Sequence, residues 1–309
     1  MKYLIIDKKQ RVSVETMGEF PTADVRIMEE LDKKGIPCDL AYTDSLEFAF
    51  VNGKTTILAN KKDLKEYSHI ILRGHRLDRQ RSYEIKRYIV DYAEENGIKV
   101  LNSKAIKLFP YYNKIALAQI CLKHNIPYFN TYYRLDGQYT EERNFLNEYP
   151  LICKEYAGAN RLQMIEGKEK IKKNVYKIDN AEGYKQEFLK DKNLSNFFIQ
   201  EFSPTAMDMR IFVKRGKVIA GWKRSSKESF KTVLRGEYEM YNNPDKETKK
   251  LSEKVAKIFK ADFMAVDFMA DKDGNMLIQE ISLHPGFKAY ETKIEGNPVN
   301  IAEAIITSF

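Results

Sequence analysis

Cysteine is scarce in this chain. Three of its 309 residues are cysteine, Cys38, Cys121 and Cys153, and no two stand at a C-x-x-C spacing, which excludes a disulfide framework and a cysteine-based zinc site. Long apolar runs are missing too. No stretch approaches the roughly 18 uninterrupted apolar residues of a membrane span, and the opening MKYLIIDKKQ has too short an apolar run for a signal peptide. The expectation is a soluble, cytoplasmic protein. There is no internal repeat, low-complexity tract or long linker. A multi-glycine phosphate cradle is also absent; its nearest approach is AGANR, residues 157–161, with the single glycine Gly158. What remains is globular material. Hydrophobic residues make up 43% and aromatics 12%, which rules out a disordered chain, and the length allows two or more domains.

Lysine and arginine exceed aspartate and glutamate by 52 to 44, a net +8 that attracts nucleotides, acidic peptides or nucleic acid. Much of the excess reads as lysine spread over polar helical faces, in KEKIKKNVYK and ETKKLSEKVAKIFK, so nucleic acid is not the expected partner. The dense cluster is RGHRLDRQR, where Arg73, Arg76, Arg79 and Arg81 follow an apolar strand. Arginine there meets a phosphate or carboxylate, or serves structural ion pairs.

Strand and helix signals alternate over the first hundred residues: KYLIID, a helix in PTADVRIMEELDKKGI, CDLAYTD, a hairpin turned at Asn52-Gly53, HIILRG, a helix ending at Gly97, and KVLNS. That order predicts an α/β sheet domain. A break at AIKLFPYYNK precedes a helix, KIALAQICLKHNIP, and from PLICKEY onward hairpins and helices give α+β character. The expected units are 1–105, 106–195 and 196–309.

In ADFMAVDFMADKDGNMLIQEISLHPGF, residues 261–287, two apolar runs flank an Asp-Gly turn and each carries one acid, Asp267 or Glu280. If Asp273 and Gly274 are the loop residues, the hairpin sets Asp267 opposite Glu280, with Cβ atoms roughly 5 Å apart and the like charges repelling. The counter-charge is either a nearby lysine or arginine, or a divalent metal such as Mg2+. A calcium loop is excluded, because DKDGN lacks the third alternating ligand. Four further features precede this hairpin. Lys114 starts a helix, and Lys154 interrupts the apolar strand PLICKEY, needing a partner such as Glu155 or a phosphate. Gln200, Glu201 and Phe202 end the strand FFIQEF, where backbone groups can read an adenine edge. Asp208 and Arg210 enter a hairpin turned at Arg215-Gly216, and Arg224 leaves it after VIAGW, placed for an anion or for an ion pair with Asp208.

In this order, the features resemble the ATP-grasp superfamily, and most closely its RimK-like branch of peptide and amino-acid ligases. The resemblance covers residues 100–309 and implies an ATP-grasp fold behind an N-terminal α/β domain. It implies that Lys114 and Lys154 contact ATP phosphates under the loop that contains Gly158, and that Gln200, Glu201 and Phe202 line the adenine site. Asp208 would lie near the ribose or substrate, Arg210 and Arg224 would serve substrate and acyl-phosphate, and Asp267, Glu280 and Ser282 would hold Mg2+. Two departures stand out. Ser282 occupies a place where the family usually has Asn, and a serine ligates Mg2+ more weakly or through water. The family's further Asn is not evident in FKTVLRGEYE.

The implied activity is an ATP-dependent carboxylate-amine ligase, its partners a carboxylate-bearing small molecule or acidic peptide and an amine. A homo-oligomer is compatible with this. The alternatives are a macrocyclising ligase of ribosomal peptides, a small-molecule kinase of the same fold, and a non-catalytic nucleotide or nucleic-acid binder. Phosphate release requiring both carboxylate and nucleophile marks the ligase; a phosphorylated product marks the kinase. His284, beside the acidic hairpin without a second partner in sequence, is read as structural.

Overall fold

The computed structural model describes residues 1–7, 22–74, 79–109, 112–139, 148–155, 160–165, 168–173, 175–186, 194–205, 207–225 and 237–309, side chains excepted at 79–82, 160–165, 168–173, 184–186 and 293. The chain begins β1 (Tyr3–Asp7), α1 (Ala23–Lys33), β2 (Cys38–Tyr42), β3 (Leu46–Val51), β4 (Lys54–Ala59), β5 (Lys62–Asp63), β6 (His69–Leu72), α2 (Arg79–Glu95), β7 (Lys99–Val100) and α3 (Ser103–Leu108). Strands β2-β1-β6-β7 form a parallel sheet. Its central strands β1 and β6 are buried throughout, as an apolar run covered on both faces must be. The β3–β4 hairpin turns at Asn52-Gly53 as expected: Val51 pairs with Lys54, and both loop residues have positive φ, 50° and 71°, the geometry that matches strand twist.

Next come α4 (Lys114–Lys123), β8 (Thr131–Tyr133), β9 (Leu151–Glu155), β10 (Asn160–Ile165), β11 (Lys168–Lys173), β12 (Val175–Ile178), α5 (Ala181–Gln186) and β13 (Phe197–Glu201). The order β12-β9-β13-β8 makes a central antiparallel sheet, beside the two-stranded β10–β11. The last group is β14 (Met207–Lys214), β15 (Lys217–Ser225), β16 (Glu237–Met240), α6 (Lys246–Phe259), β17 (Phe263–Ala270), β18 (Met276–Ser282), α7 (Lys288–Lys293) and α8 (Ile301–Ile306). Its sheet runs β16-β15-β14-β17-β18.

Alternation along these strands gives that sheet two working faces. On one, Met209, Ile211, Met264, Val266 and Phe268 pack with Leu117 and Cys121 of α4 and Leu251, Val255 and Phe259 of α6. On the other, Phe212, Trp222, Phe263 and Ala265 meet Tyr3, Ile5 and Leu101 of the N-terminal region together with Tyr290, Ile301 and Ile305. The C-terminal helices therefore close back on the beginning of the chain. Arg26 of α1 bonds Glu291 of α7 at 2.8 Å, and the other Glu291 oxygen accepts the Ile301 and Ala302 N–H groups that open α8.

The structure departs from the sequence reading in places. KEKIKKNVYK is not helical but supplies β11 and β12, because its lysines alternate in period two rather than leaving an apolar stripe. The expected break at AIKLF is α3, and the strand expected at KVLNS is only Lys99–Val100. The acidic hairpin has a longer turn than expected, with Asp271 N–H donating to the Asn275 carbonyl at 2.9 Å. Ala270 pairs with Met276 and Phe268 with Ile278, yet Asp267 still pairs with Glu280. A bulge at Gln279 restores the register, since one extra residue shifts every partner beyond it.

Asn102 staples these units. It is fully buried with a left-handed φ of 63°. Its Nδ2 donates to the carbonyls of Phe263 and Leu283, both at 2.8 Å. Its Oδ1 accepts from the N–H groups of Asp262 and Phe263 at 2.8 and 3.0 Å. Asn102→Ala strands those four groups and puts a Cβ-bearing residue into a conformation that asparagine tolerates better. We expect a loss of about 3 kcal/mol in urea-monitored unfolding, the scale of orphaned buried polar groups; a loss below about 1 kcal/mol would contradict the staple.

Candidate active site

Between the central sheet and the five-stranded sheet the sequence candidates converge. Asp267 on β17 and Glu280 on β18 face each other in register. Each has found a cation. Arg210, opposite Asp267 on β14, grips it with two parallel bonds, Nε to Oδ1 and Nη2 to Oδ2, both 2.7 Å. Lys114, the first residue of α4, sets Nζ 3.0 Å from Glu280 Oε2. A third pair follows one strand over, where Asp208 lies opposite Arg224 and accepts two guanidinium bonds, the Nε bond at 2.9 Å.

Trp222, opposite Arg210 on β15, lies against both arginines, with guanidinium carbons 5.6 and 5.3 Å from its ring. Tyr238 flanks Arg224 at 5.9 Å. Stacking on aromatic faces holds arginine in place while leaving its edges open to anions.

Lys154 completes the set from the central sheet, on β9 opposite Phe198 of β13. Its partner is neither Glu155 nor another acid. Nζ donates to Gln200 Oε1 at 2.9 Å, and Gln200 Nε2 donates to Thr131 Oγ1 at 3.0 Å. Among the described residues no carboxylate lies within ion-pair distance of Lys154. Burial first, then the nearby Lys114 charge, push its ammonium down to about 7, with Glu280 opposing. Three cation–carboxylate pairs neutralise themselves, and Lys154 is left as the surplus cation facing Glu280. Such a group gains most from an arriving anion.

The carboxylates respond in opposite senses. Burial, reinforced by Glu280 and Asp208, raises the Asp267 carboxyl despite Arg210. Burial also acts on Glu280, but Lys114, Arg210 and Lys154 together hold it below the usual carboxylate range. Burial works against the Arg210 charge as well, yet Asp267 outweighs it and holds the guanidinium above its ordinary value. Ser282 stands two residues beyond Glu280 on the same face, opposite Ala265; its Oγ accepts the His284 N–H at 3.3 Å. Two adjacent acids with a hydroxyl at the end of the strand form an oxygen donor set that suits Mg2+, which takes one or two carboxylates and completes its shell with water and phosphate oxygens. Each carboxylate oxygen bonded by Arg210 or Lys114 keeps a second lone pair for that purpose.

Other candidates fall further out. Glu201 ends β13 and its side chain accepts from Asn130 N and Nδ2 at 3.1 and 2.9 Å. Its own N–H donates to the Asn130 carbonyl at 3.0 Å and is thus committed within the chain. Phe202 follows, its ring under Lys177 Nζ at 4.9 Å. Gly158, with the rest of 156–159 and the Arg161 side chain, lies outside the described residues, as do Arg76 and the side chains of Arg79 and Arg81. Arg73, in the N-terminal region, donates from Nη2 to the Pro285 carbonyl at 3.3 Å.

The sequence reading missed the supporting shell. Gln200 was expected to contribute through its backbone, yet its side chain positions Lys154. Tyr112 straddles the Ile281 backbone, accepting its N–H at 3.3 Å and donating to its carbonyl at 3.5 Å. Tyr128 donates to the Lys114 carbonyl at 3.3 Å and bridges to Ile278. The aromatic-rich strings YYNK and IPYFN were the available signal.

Replacing Arg210 isolates the electrostatics. Arg210→Met leaves Asp267 buried and uncompensated, and we expect a loss of about 3 kcal/mol at pH 8. Because an unpaired acid escapes by taking a proton, the deficit shrinks as pH falls toward 5. The double change Arg210→Met with Asp267→Leu recovers most of it. Urea titrations of the three proteins check this, and no recovery in the double variant would contradict the pairing.

Comparison with known proteins agrees with this geometry. Residues 112–309 match the family model for the RimK-like ATP-grasp domain. The chain is 27% identical over 221 residues to the alpha-aminoadipate--LysW ligase LysX of Saccharolobus solfataricus, covering 69% of this chain and 74% of that one. Among solved structures, the macrocyclase MdnC bound with precursor peptide MdnA from Microcystis aeruginosa MRC superposes with a TM-score of 0.70 at 15% identity, covering 100% of both chains. The ATP-grasp ligase PsnB complexed with a minimal precursor gives 0.69 at 17% identity, again over 100% of both. These likenesses establish the ATP-grasp fold.

Proposed function

The chain belongs to the RimK-like ATP-grasp family and is an ATP-dependent ligase; we propose that it joins the carboxylate of an amino acid or peptide to an amine through an acyl-phosphate. The observation that carries this reading is Lys154, a half-buried cation without a carboxylate partner among the described residues, held near two adjacent acids.

In this reading Lys154 and Lys114 hold the terminal phosphates, and Gln200 keeps Lys154 aimed at them. Asp267 and Glu280, with Ser282 at the strand end, would hold Mg2+, which when bound neutralises charge on the phosphates. Gln200, Glu201 and Phe202, at the end of β13, would line the adenine site. Arg210 and Arg224, fixed against Trp222, offer guanidinium edges to the substrate carboxylate. Asp208 stays paired with Arg224, holding that arginine toward the substrate side.

A carboxylate is a poor acylating agent because its leaving group is oxide-like. Attack of a carboxylate oxygen on the γ-phosphorus expels ADP and leaves a mixed anhydride. Attack of the amine nitrogen on the acyl carbon then forms the C–N bond, expels inorganic phosphate and releases one proton. Positioning and electrostatics are the protein's main contributions. Family membership supports this reaction over a small-molecule kinase.

Two outcomes test it. Mg2+ should tighten ATP binding in calorimetry, and Glu280→Gln or Asp267→Asn should reduce that Mg2+ dependence at least 10-fold; the absence of any nucleotide binding by the folded parent would sink the reading. The second concerns protons. Free Lys154 is mostly neutral above pH 7, and a triphosphate beside it favours the ammonium. Binding at pH 8 should therefore take up as much as ~0.9 proton, seen by repeating the titration in buffers of different ionisation enthalpy. Uptake should fall toward zero at pH 6, where the free ammonium is already protonated, and should vanish in Lys154→Met.

A further inference from the structure

Tyr128 lies between α4 and β8, half-buried, with its ring packed on the layer that includes Leu117, Cys121 and Ile278. Its hydroxyl touches the surroundings of both phosphate-site lysines. It donates to the carbonyl of Lys114, the first residue of α4, at 3.3 Å, and its oxygen is hydrogen-bonded to the Gln200 side chain. The backbone around it is tied down as well. Ile278 N–H donates to the Pro127 carbonyl at 3.1 Å, and Tyr128 bridges to Ile278, two residues before Glu280 on β18.

These contacts decide which way the Gln200 amide points. The two ends of a primary amide are alike in shape and opposite in hydrogen bonding, so only its neighbours can orient it. Thr131 commits its hydroxyl proton to the Phe129 carbonyl at 2.8 Å, which leaves its oxygen to accept. Tyr128 commits its own proton to the Lys114 carbonyl, which can only accept. Both oxygens therefore offer lone pairs to Gln200, and the two Nε2 protons answer them. The opposite end, Oε1, is left for Lys154 Nζ at 2.9 Å, a group that can only donate.

The donors run head to tail from the Lys154 ammonium through the Gln200 amide and the Tyr128 hydroxyl to the Lys114 carbonyl, and Lys114 Nζ lies 3.0 Å from Glu280. Bonds in such a chain strengthen one another. We propose that Tyr128 is a positioning residue for the phosphate end of the nucleotide: its hydroxyl orients the Gln200 amide, aims Lys154 through it, and sets that lysine's place relative to Lys114. The proposal deepens the ligase reading and rests on it.

Tyr128→Phe keeps the packed ring and removes only the hydroxyl. Calorimetry of the full chain with Mg2+ compares a non-hydrolysable ATP analogue with AMP, which has the adenine and lacks both terminal phosphates. The variant should bind the analogue about fivefold more weakly, the scale of one hydrogen bond. Its AMP affinity should stay within about twofold of the parent's, which also reports its folding. In a Lys154→Met background the same change should cost the analogue less than about twofold, because the hydroxyl acts through that lysine. Equal losses for the analogue and AMP, no loss for either, or a cost that survives Lys154→Met would overturn the role and leave the ligase reading in place. If the folded parent binds neither nucleotide, the ligase reading fails and the role falls with it.

Discussion

Asp267 and Glu280 face each other across neighbouring strands, and much of the site answers their repulsion. Adjacent carboxylates on one sheet face are unfavourable unless charge of the other sign is brought to them. Arg210 meets one from β14 and Lys114 meets the other from α4. Those two cations come from different layers of the fold, so charge neutrality requires α4 and the five-stranded sheet to be assembled together. Once the acids are satisfied, Lys154 on the opposing sheet has no acid left within reach among the described residues. A site that is balanced except for one cation favours an arriving anion.

The packing that makes this alignment dependable lies elsewhere. One face of the five-stranded sheet is filled by α4 and α6, and the opposite face by the N-terminal region and the chain's last helices. The charged cluster sits at the open end of the second face, where apolar filling gives way to Arg210, Asp267 and Glu280. Interiors are close-packed and transmit small displacements, so a shift of α8 or α1 would be felt at β17. Arg26, Glu291 and the first N–H groups of α8 tie those helices to one another.

Much of this was legible in the sequence, and the misses have physical causes. The Asn52-Gly53 and Arg215-Gly216 turns were readable because a two-residue hairpin demands positive φ at both positions, and the pairs Val51–Lys54 and Lys214–Lys217 confirm them. The acidic pair was found through a turn that does not exist in the form expected; the longer loop and the Gln279 bulge offset each other. Bulges leave no signature in a pattern of period two, so only the structure reveals them. KEKIKKNVYK misled because a lysine-rich string is permitted on any solvated surface and its period was given too little weight. Lys114 and Lys154 could be named but not their partners. Gln200, Thr131 and Tyr128 act through side chains brought together by pairing of β8, β9 and β13, and separations of 46 and 69 residues hide such contacts.

The segment 283–287 shows how fold and site become one problem. A loop joining β18 to α7 carries carbonyls that need donors. Here three side chains supply them: Asn102 to Leu283, Arg73 to Pro285 and Arg210 to Gly286. The first two come from the N-terminal region and the third from the strand that neutralises Asp267. The same backbone thus carries one end of the structural staple, a contact with the arginine that follows β6, and one contact of the arginine beside the acids. A loop fixed at three carbonyls by groups from separate units cannot move without disturbing all of them. Its placement therefore couples the packing of the N-terminal region to the arginine that neutralises Asp267.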